Sequence, residues 1–342
     1  MGTLQWGVSG TISGLQNNQQ GNSIAAALAT ASQGGTAPTP SSTGLPATSG
    51  VLWHDTSANQ LRIRDQADST WMSIAAVDET NKQVVMQHGG CRFQFGSATS
   101  VVLKPYNGNG IKINGVYYAI PVNGVISANT STFVSGVSNS NLAASTAYLV
   151  YLFNNGGAPA LDFWPLSGGH VTDSSAGNIG VEVRSNSGSP DSTRTLVGAV
   201  LTNASGQFQN SSSVAGVASW FNRRQLIAFT SIAGSTNSTA TTTVGITAAV
   251  FSWSDNLSVL ATFSGFGTIA AASAVATIGP GINGQLALNA TEQDMTNAGQ
   301  FNLSYSVTVS IPSEGFNFIG CQASTTASTL TLSGTNMATG WA

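Results

Sequence analysis

Residues 301–309 read Phe-Asn-Leu-Ser-Tyr-Ser-Val-Thr-Val, nine positions in which apolar and polar side chains strictly alternate. A period of two puts one set of side chains on each face of a strand, whereas a helix would scatter the same pattern around its whole surface. Similar patterns run through residues 243–251, 257–263 and 329–334. Upstream, short apolar runs at 100–104, 111–121, 147–153 and 195–201 are punctuated by glycine and asparagine, with Asn114-Gly115 and Asn123-Gly124 as hairpin turns. Many short strands at regular spacing predict sandwiches or barrels.

Composition agrees. Only 7% of the 342 residues are charged, against about 25% in an ordinary soluble chain. Helix surfaces are normally solvated by Lys, Glu and Arg, but strand surfaces can be solvated by Thr, Ser and Asn. With 41% hydrophobic residues, seven Trp and fourteen Phe, the chain has the means to fold. The net charge of −3 and the scattered basic residues exclude a phosphate-tracking stripe, so no nucleic-acid partner is expected. No apolar run is long enough for a membrane span, and Met1-Gly2-Thr3-Leu4-Gln5-Trp6 lacks the regions of a signal peptide. The expectation is a soluble chain made in a cytoplasm, without membrane insertion.

Three regions are predicted. Residues 1–82 hold one short helix around residues 22–30, a proline- and glycine-rich linker at 34–46, and a small hairpin beginning at Gly50. Residues 83–222 form a middle β-sandwich, also expected to be jelly-roll-like. Residues 223–342 form a second sandwich, of jelly-roll type, and are chemically distinct: no Lys or Arg follows Arg224, and the only charges are Asp255, Glu292, Asp294 and Glu314. Several strands look apolar on both faces, which predicts that identical subunits pack together, as a trimer about the long axis.

The residues Gly50-Val51-Leu52-Trp53-His54-Asp55-Thr56-Ser57, then Leu61-Arg62-Ile63 and Trp71, after a proline-rich approach, resemble a module near the start of bacteriophage tail-fibre and other virion-fibre proteins. The middle region is also similar to phage structural proteins in its Ile-Asn-Gly-Val-Tyr hairpin, its Tyr-Leu-Val-Tyr-Leu-Phe strand and the turn Thr202 to Phe208. This resemblance implies a homotrimeric tail fibre or tail-associated adhesin. It would join other virion proteins through its N-terminal region, with Trp53, Asp55 and Trp71 as attachment-module residues, and present its β-domains to a host surface glycan or protein. A capsid decoration or head-fibre protein is the alternative, and a polysaccharide-degrading tailspike enzyme the weaker one. Either leading reading places the chain in a virion, on tail or capsid.

His54, His88 and His170 lack metal-ligand spacing, and His88 with Cys91 would need two further ligands. Cys91 and Cys321 are expected to be free buried thiols. Gly279-Pro280-Gly281-Ile282-Asn283-Gly284 matches a dinucleotide-loop pattern literally, but its β-rich context predicts a turn. Asp162, Asp173, Glu182 and Asp191 are the carboxylates a glycan hydrolase would draw on, yet they stand isolated. No catalytic residue, cofactor or metal is therefore expected. Trp164, Trp220, Trp253 and Trp341 are left as aromatics that either stack on sugars or pack.

Overall fold

The computed structural model describes residues 33–34, 52–64, 70–79, 83–85, 88–237, 242–254, 258–270, 274–286, 291–295, 299–311, 313–326 and 329–341. The fold is mostly β. The chain divides into two compact units, Met1–Met86 and Gln87–Ala342. The predicted helix at 22–30 lies outside the described residues.

The first unit is a meander. Strand β1 (Gln33–Gly34) runs parallel to β2 (Leu52–Asp55), and β3 (Gln60–Arg64), β4 (Trp71–Asp78) and β5 (Gln83–Val85) follow antiparallel in sequence order. Asp55 closes the β2–β3 turn. Its Oδ1 accepts hydrogen bonds from the Ser57 and Ala58 amides at 3.1 and 3.2 Å and from the Ser57 hydroxyl at 2.7 Å, the side-chain mimicry of a turn that Asp supplies well. Buried Trp53 meets Trp71 edge-on at 5.4 Å, with Arg62 over the former ring and Arg64 over the latter. The predicted hairpin is thus part of a larger sheet.

The second unit begins with small strands: β6 (Cys91–Ser97), β7 (Ser100–Pro105), β8 (Gly110–Ile113), β9 (Val116–Ala119), β10 (Val125–Ala128), β11 (Thr132–Val134) and β12 (Val137–Ser140). Asn114 and Gly115 join β8 to β9 with φ of 49° and 77°, the positive values a two-residue hairpin turn requires. Then come β13 (Ala147–Asn155), β14 (Ala158–Pro165), β15 (His170–Thr172), β16 (Glu182–Asn186), β17 (Ser189–Leu201) and β18 (Val217–Ser219). The sheet β10-β7-β6 packs on an eight-stranded sheet ordered β12-β11-β14-β13-β17-β16-β15, with β18 beside β17. This is a sandwich, but it differs from the predicted jelly-roll type. Consecutive hairpins such as β13–β14 and β16–β17 stay within one sheet instead of crossing between two.

The remaining strands are β19 (Gln225–Asn237), β20 (Thr242–Ser252), β21 (Ser258–Ile269), β22 (Ala274–Ile282), β23 (Gln285–Leu286), β24 (Thr291–Met295), β25 (Gly299–Ser310), β26 (Gly315–Thr325) and β27 (Thr329–Trp341). One sheet runs β19-β27-β21-β25, the other β20-β26-β22 with β23 and β24 both on β22. The chain crosses between the sheets at nearly every step, which is the double-sheet topology of a jelly roll. The glycine-rich 279–284 stretch is the end of β22 and its hairpin to β23, with Asn283 and Gly284 at φ of 50° and 83°.

Strand β13 explains a sequence run that does not alternate. Tyr148, Val150 and Leu152 enter one core with Phe163, Val197 and Val200, while Leu149 and Tyr151 enter the jelly-roll core with Leu196 and Ala199. A strand buried on both faces reads as a continuous apolar run. The doubly apolar strands were expected to signal packing between subunits. For β13 and β17 the second face is covered by the chain's own C-terminal sandwich, so those strands are no argument for an oligomer. Gly198 in β17 permits this wall, since a Cβ there would stand 2.4 Å from the Phe93 ring and 2.5 Å from the Ala218 carbonyl.

Candidate functional site

A gathering of charged and aromatic side chains lies where the two sandwiches meet. His170 opens β15, and its ring sits between two carboxylates. Nδ1 is 2.6 Å from Glu182 Oε2 on β16, and Nε2 is 3.1 and 3.0 Å from the two oxygens of Glu314, just ahead of β26. Glu182 also accepts the Thr172 hydroxyl, and Glu314 accepts the Ser254 amide at 2.8 Å.

A carboxylate can only accept, so a ring facing one on each side must donate from both nitrogens. His170 is therefore an imidazolium. Burial works against that charge, but the hydrogen bonds to Glu182 and Glu314 outweigh it and push the pKa up to about 9. The Glu314 carboxyl, raised by burial alone, is held below its usual range by His170 and Ser254. Burial, reinforced by Glu314, pushes the Tyr151 phenol well above its usual range. Its hydroxyl donates to the Gly169 carbonyl at 2.8 Å, which fixes the residue before His170.

Two of the four singled-out tryptophans flank this bridge. Trp253 is fully buried and meets Trp220 edge-on at 5.0 Å, with the His170 ring 5.4 Å from Trp220 and 6.3 Å from Trp253. Arg223 lies over Trp220 at 4.3 Å. Trp164 packs against the same core, with the Arg184 guanidinium 3.8 Å from its ring centre and Arg184 in turn paired to Asp191 at 2.8 Å. The side chain of Trp341 lies outside the described residues.

The other candidates are apart from the bridge. Fully buried Asp162 pairs with Arg194 at 2.9 Å and accepts the Gly136 amide. Asp173 accepts from the Ser175 amide and from Asn178. His88 Nδ1 accepts the Lys112 amide at 2.9 Å, and burial with the nearby Lys112 charge lowers its pKa to about 4. Cys91 and Cys321 are free and buried, each pushed up to about 12 by burial. Among the described residues no group of three His, Cys, Asp or Glu is placed to hold a metal ion. At the bridge the imidazole occupies the space between the carboxylates.

What this arrangement does chemically is hold. Both carboxylates and both imidazole nitrogens of His170 are already engaged, the buried indole nitrogens of Trp164 and Trp253 have no hydrogen-bond partner among the described residues, and the guanidinium groups cover aromatic faces. Sequence reasoning missed Glu314 as a partner of His170, because 144 residues separate them. The available signal was rarity, since Glu314 is one of four charges after Arg224.

The sequence matches no protein-family model, and no curated protein matches it. Among solved structures the chain is similar to a structure of infectious bursal disease virus, Gx strain, at 14% identity and a TM-score of 0.27, covering 73% of this chain and 70% of that one. It is also similar to the insecticidal delta-endotoxin Cry8Ea1 from Bacillus thuringiensis, at 9% identity and TM-score 0.23, covering 72% and 51%. A third is BuGH86 in complex with neoagarooctaose, at 11% identity and TM-score 0.23, covering 80% and 36%. Likenesses at these scores carry no functional argument.

Proposed function

We propose that this chain is a structural component of a bacteriophage virion, a homotrimeric tail fibre or tail-associated adhesin. Its first unit joins other virion proteins and its β-domains face a host glycan or protein. The observation that carries this reading is the convergence of Trp53, Asp55 and Trp71 in one small sheet. Asp55 closes the turn and the two indoles pack together, so the residues that give the fibre-module resemblance form a single physical unit. Downstream, the His170 bridge and the shared β13 wall join the two sandwiches. Attachment through several weak contacts at once would supply avidity without a chemical step.

The test is a cryo-EM reconstruction of the intact particle with this chain located in it. Three copies projecting from the tail support the adhesin. Copies at capsid lattice positions make it a decoration or head-fibre protein, and absence from the particle overturns the virion reading.

A further inference from the structure

The two outer faces of the jelly roll differ. The sheet containing β20 meets the middle domain, where Ala249 packs with Leu201 and Val214. Among the described residues of the second unit, the outer face of β19-β27-β21-β25 is left open. Its four strands contain no Lys, Arg, Asp or Glu. Ile227, Phe229, Leu260 and Phe266 point outward from it and are 51%, 50%, 38% and 39% exposed. Register places Ile227 and Leu260 in one cross-strand row through Thr339, and Phe229 beside Met337 in the next.

The two edges of the same sheet differ as well. At β19 the chain closes its own edge, the Phe229 amide donating to the Ser212 carbonyl at 2.7 Å. At β25, twelve residues pair with β21 in unbroken register, and among the described residues no strand pairs with the other side. Such an edge is normally blunted by lysine, proline or a bulge. β25 contains no lysine or proline, and its register shows no bulge.

We propose that this face and the β25 edge beside it are covered by a second copy of this chain. A partner bearing Lys or Glu would strand those charges against a surface with nothing to pair them, at a steep desolvation penalty. The partner surface must itself be uncharged, apolar and hydroxyl-bearing, and the chain carries such a surface in this sheet. Four strands about 4.8 Å apart and ten residues long present roughly 600 Å², near the ~800 Å² per partner of a stable interface. The proposal deepens the oligomeric reading above and rests on it.

The test combines mass and labelling on the full chain. Cys91 and Cys321 are buried, so Ser264→Cys at the centre of the face gives one reactive thiol, and Ser189→Cys on the middle domain gives an exposed comparison. Expected is a multimer by light scattering, with Ser264→Cys labelled by a bulky maleimide at least tenfold more slowly than Ser189→Cys. Phe229→Asp or Phe266→Asp should give folded monomers by circular dichroism in which that difference vanishes. Ile179→Asp, at a residue 75% exposed elsewhere, should leave the multimer intact. A multimer whose Ser264→Cys labels at the full rate overturns this face while keeping the oligomer. A monomeric wild-type chain overturns both.

Discussion

The two sandwiches of the second unit solve the same problem with different materials. The middle domain finishes its surface with cation–aromatic stacks: Arg92 over Tyr106, Lys112 over Tyr117, Arg184 over Trp164 and Arg194 over Phe153. The jelly roll has no basic residue after Arg224 and relies on a packed interior, with Phe263 stacked on Tyr305 and Phe251 against Trp253 and Phe316. The difference teaches where each is vulnerable. A surface finished with charge is sensitive to pH and salt, whereas a domain that relies on packing alone is sensitive to cavities.

The sharpest way to break the contrast is to truncate the jelly-roll core. Trp253→Ala or Phe263→Ala should each lower stability by about 3–5 kcal/mol in denaturant titrations. A change below 1 kcal/mol would mean that its interior is not what holds it. Next comes the bridge. Glu314→Gln removes one charge from the imidazolium, and a loss of about 1–3 kcal/mol is expected. A His170 pKa that stays near 9 in an NMR titration of this variant would show that Glu314 plays no part.

The third is pH, with signs that follow from the shifts. His170 has a folded pKa above the ordinary 6.5, so its contribution is complete below pH 6.5 and lost as pH rises through 9. His88 has the opposite shift. Its contribution is complete above pH 6.5 and lost as pH falls toward 4. Melting temperature should therefore peak near neutrality, and the alkaline fall should disappear in His170→Gln. The smallest effect is Arg184→Lys, which gives up the flat stack on Trp164 and should cost about 0.5–1 kcal/mol. If sodium chloride shifts that loss no more than it shifts the jelly-roll mutants, the contrast between the domains is wrong.

Strand β25 was legible because its two faces differ in polarity, so Phe301, Leu303 and Tyr305 mark the inner side by themselves. The β8–β9 turn was legible from Asn114-Gly115. Strand β13 could be found but not understood, since Tyr148 to Phe153 are apolar for two reasons at once and sequence does not say which neighbour covers which face. The bridge was illegible. No local pattern ties His170 to Glu314, and the tryptophans around them advertised aromatic surface without saying whether arginine, histidine or solvent lies above each ring.

The wall formed by β13 and β17 also orders events at the ribosome. Leu149, Tyr151, Leu196 and Ala199 are synthesised well before the strands that cover them, so the middle domain emerges with one side of its central sheet bare. Domains generally mature in the order in which they are made. Here the earlier one stays adhesive until the last strand, β27, has closed the jelly roll, and a chain released early would be expected to aggregate before it could assemble.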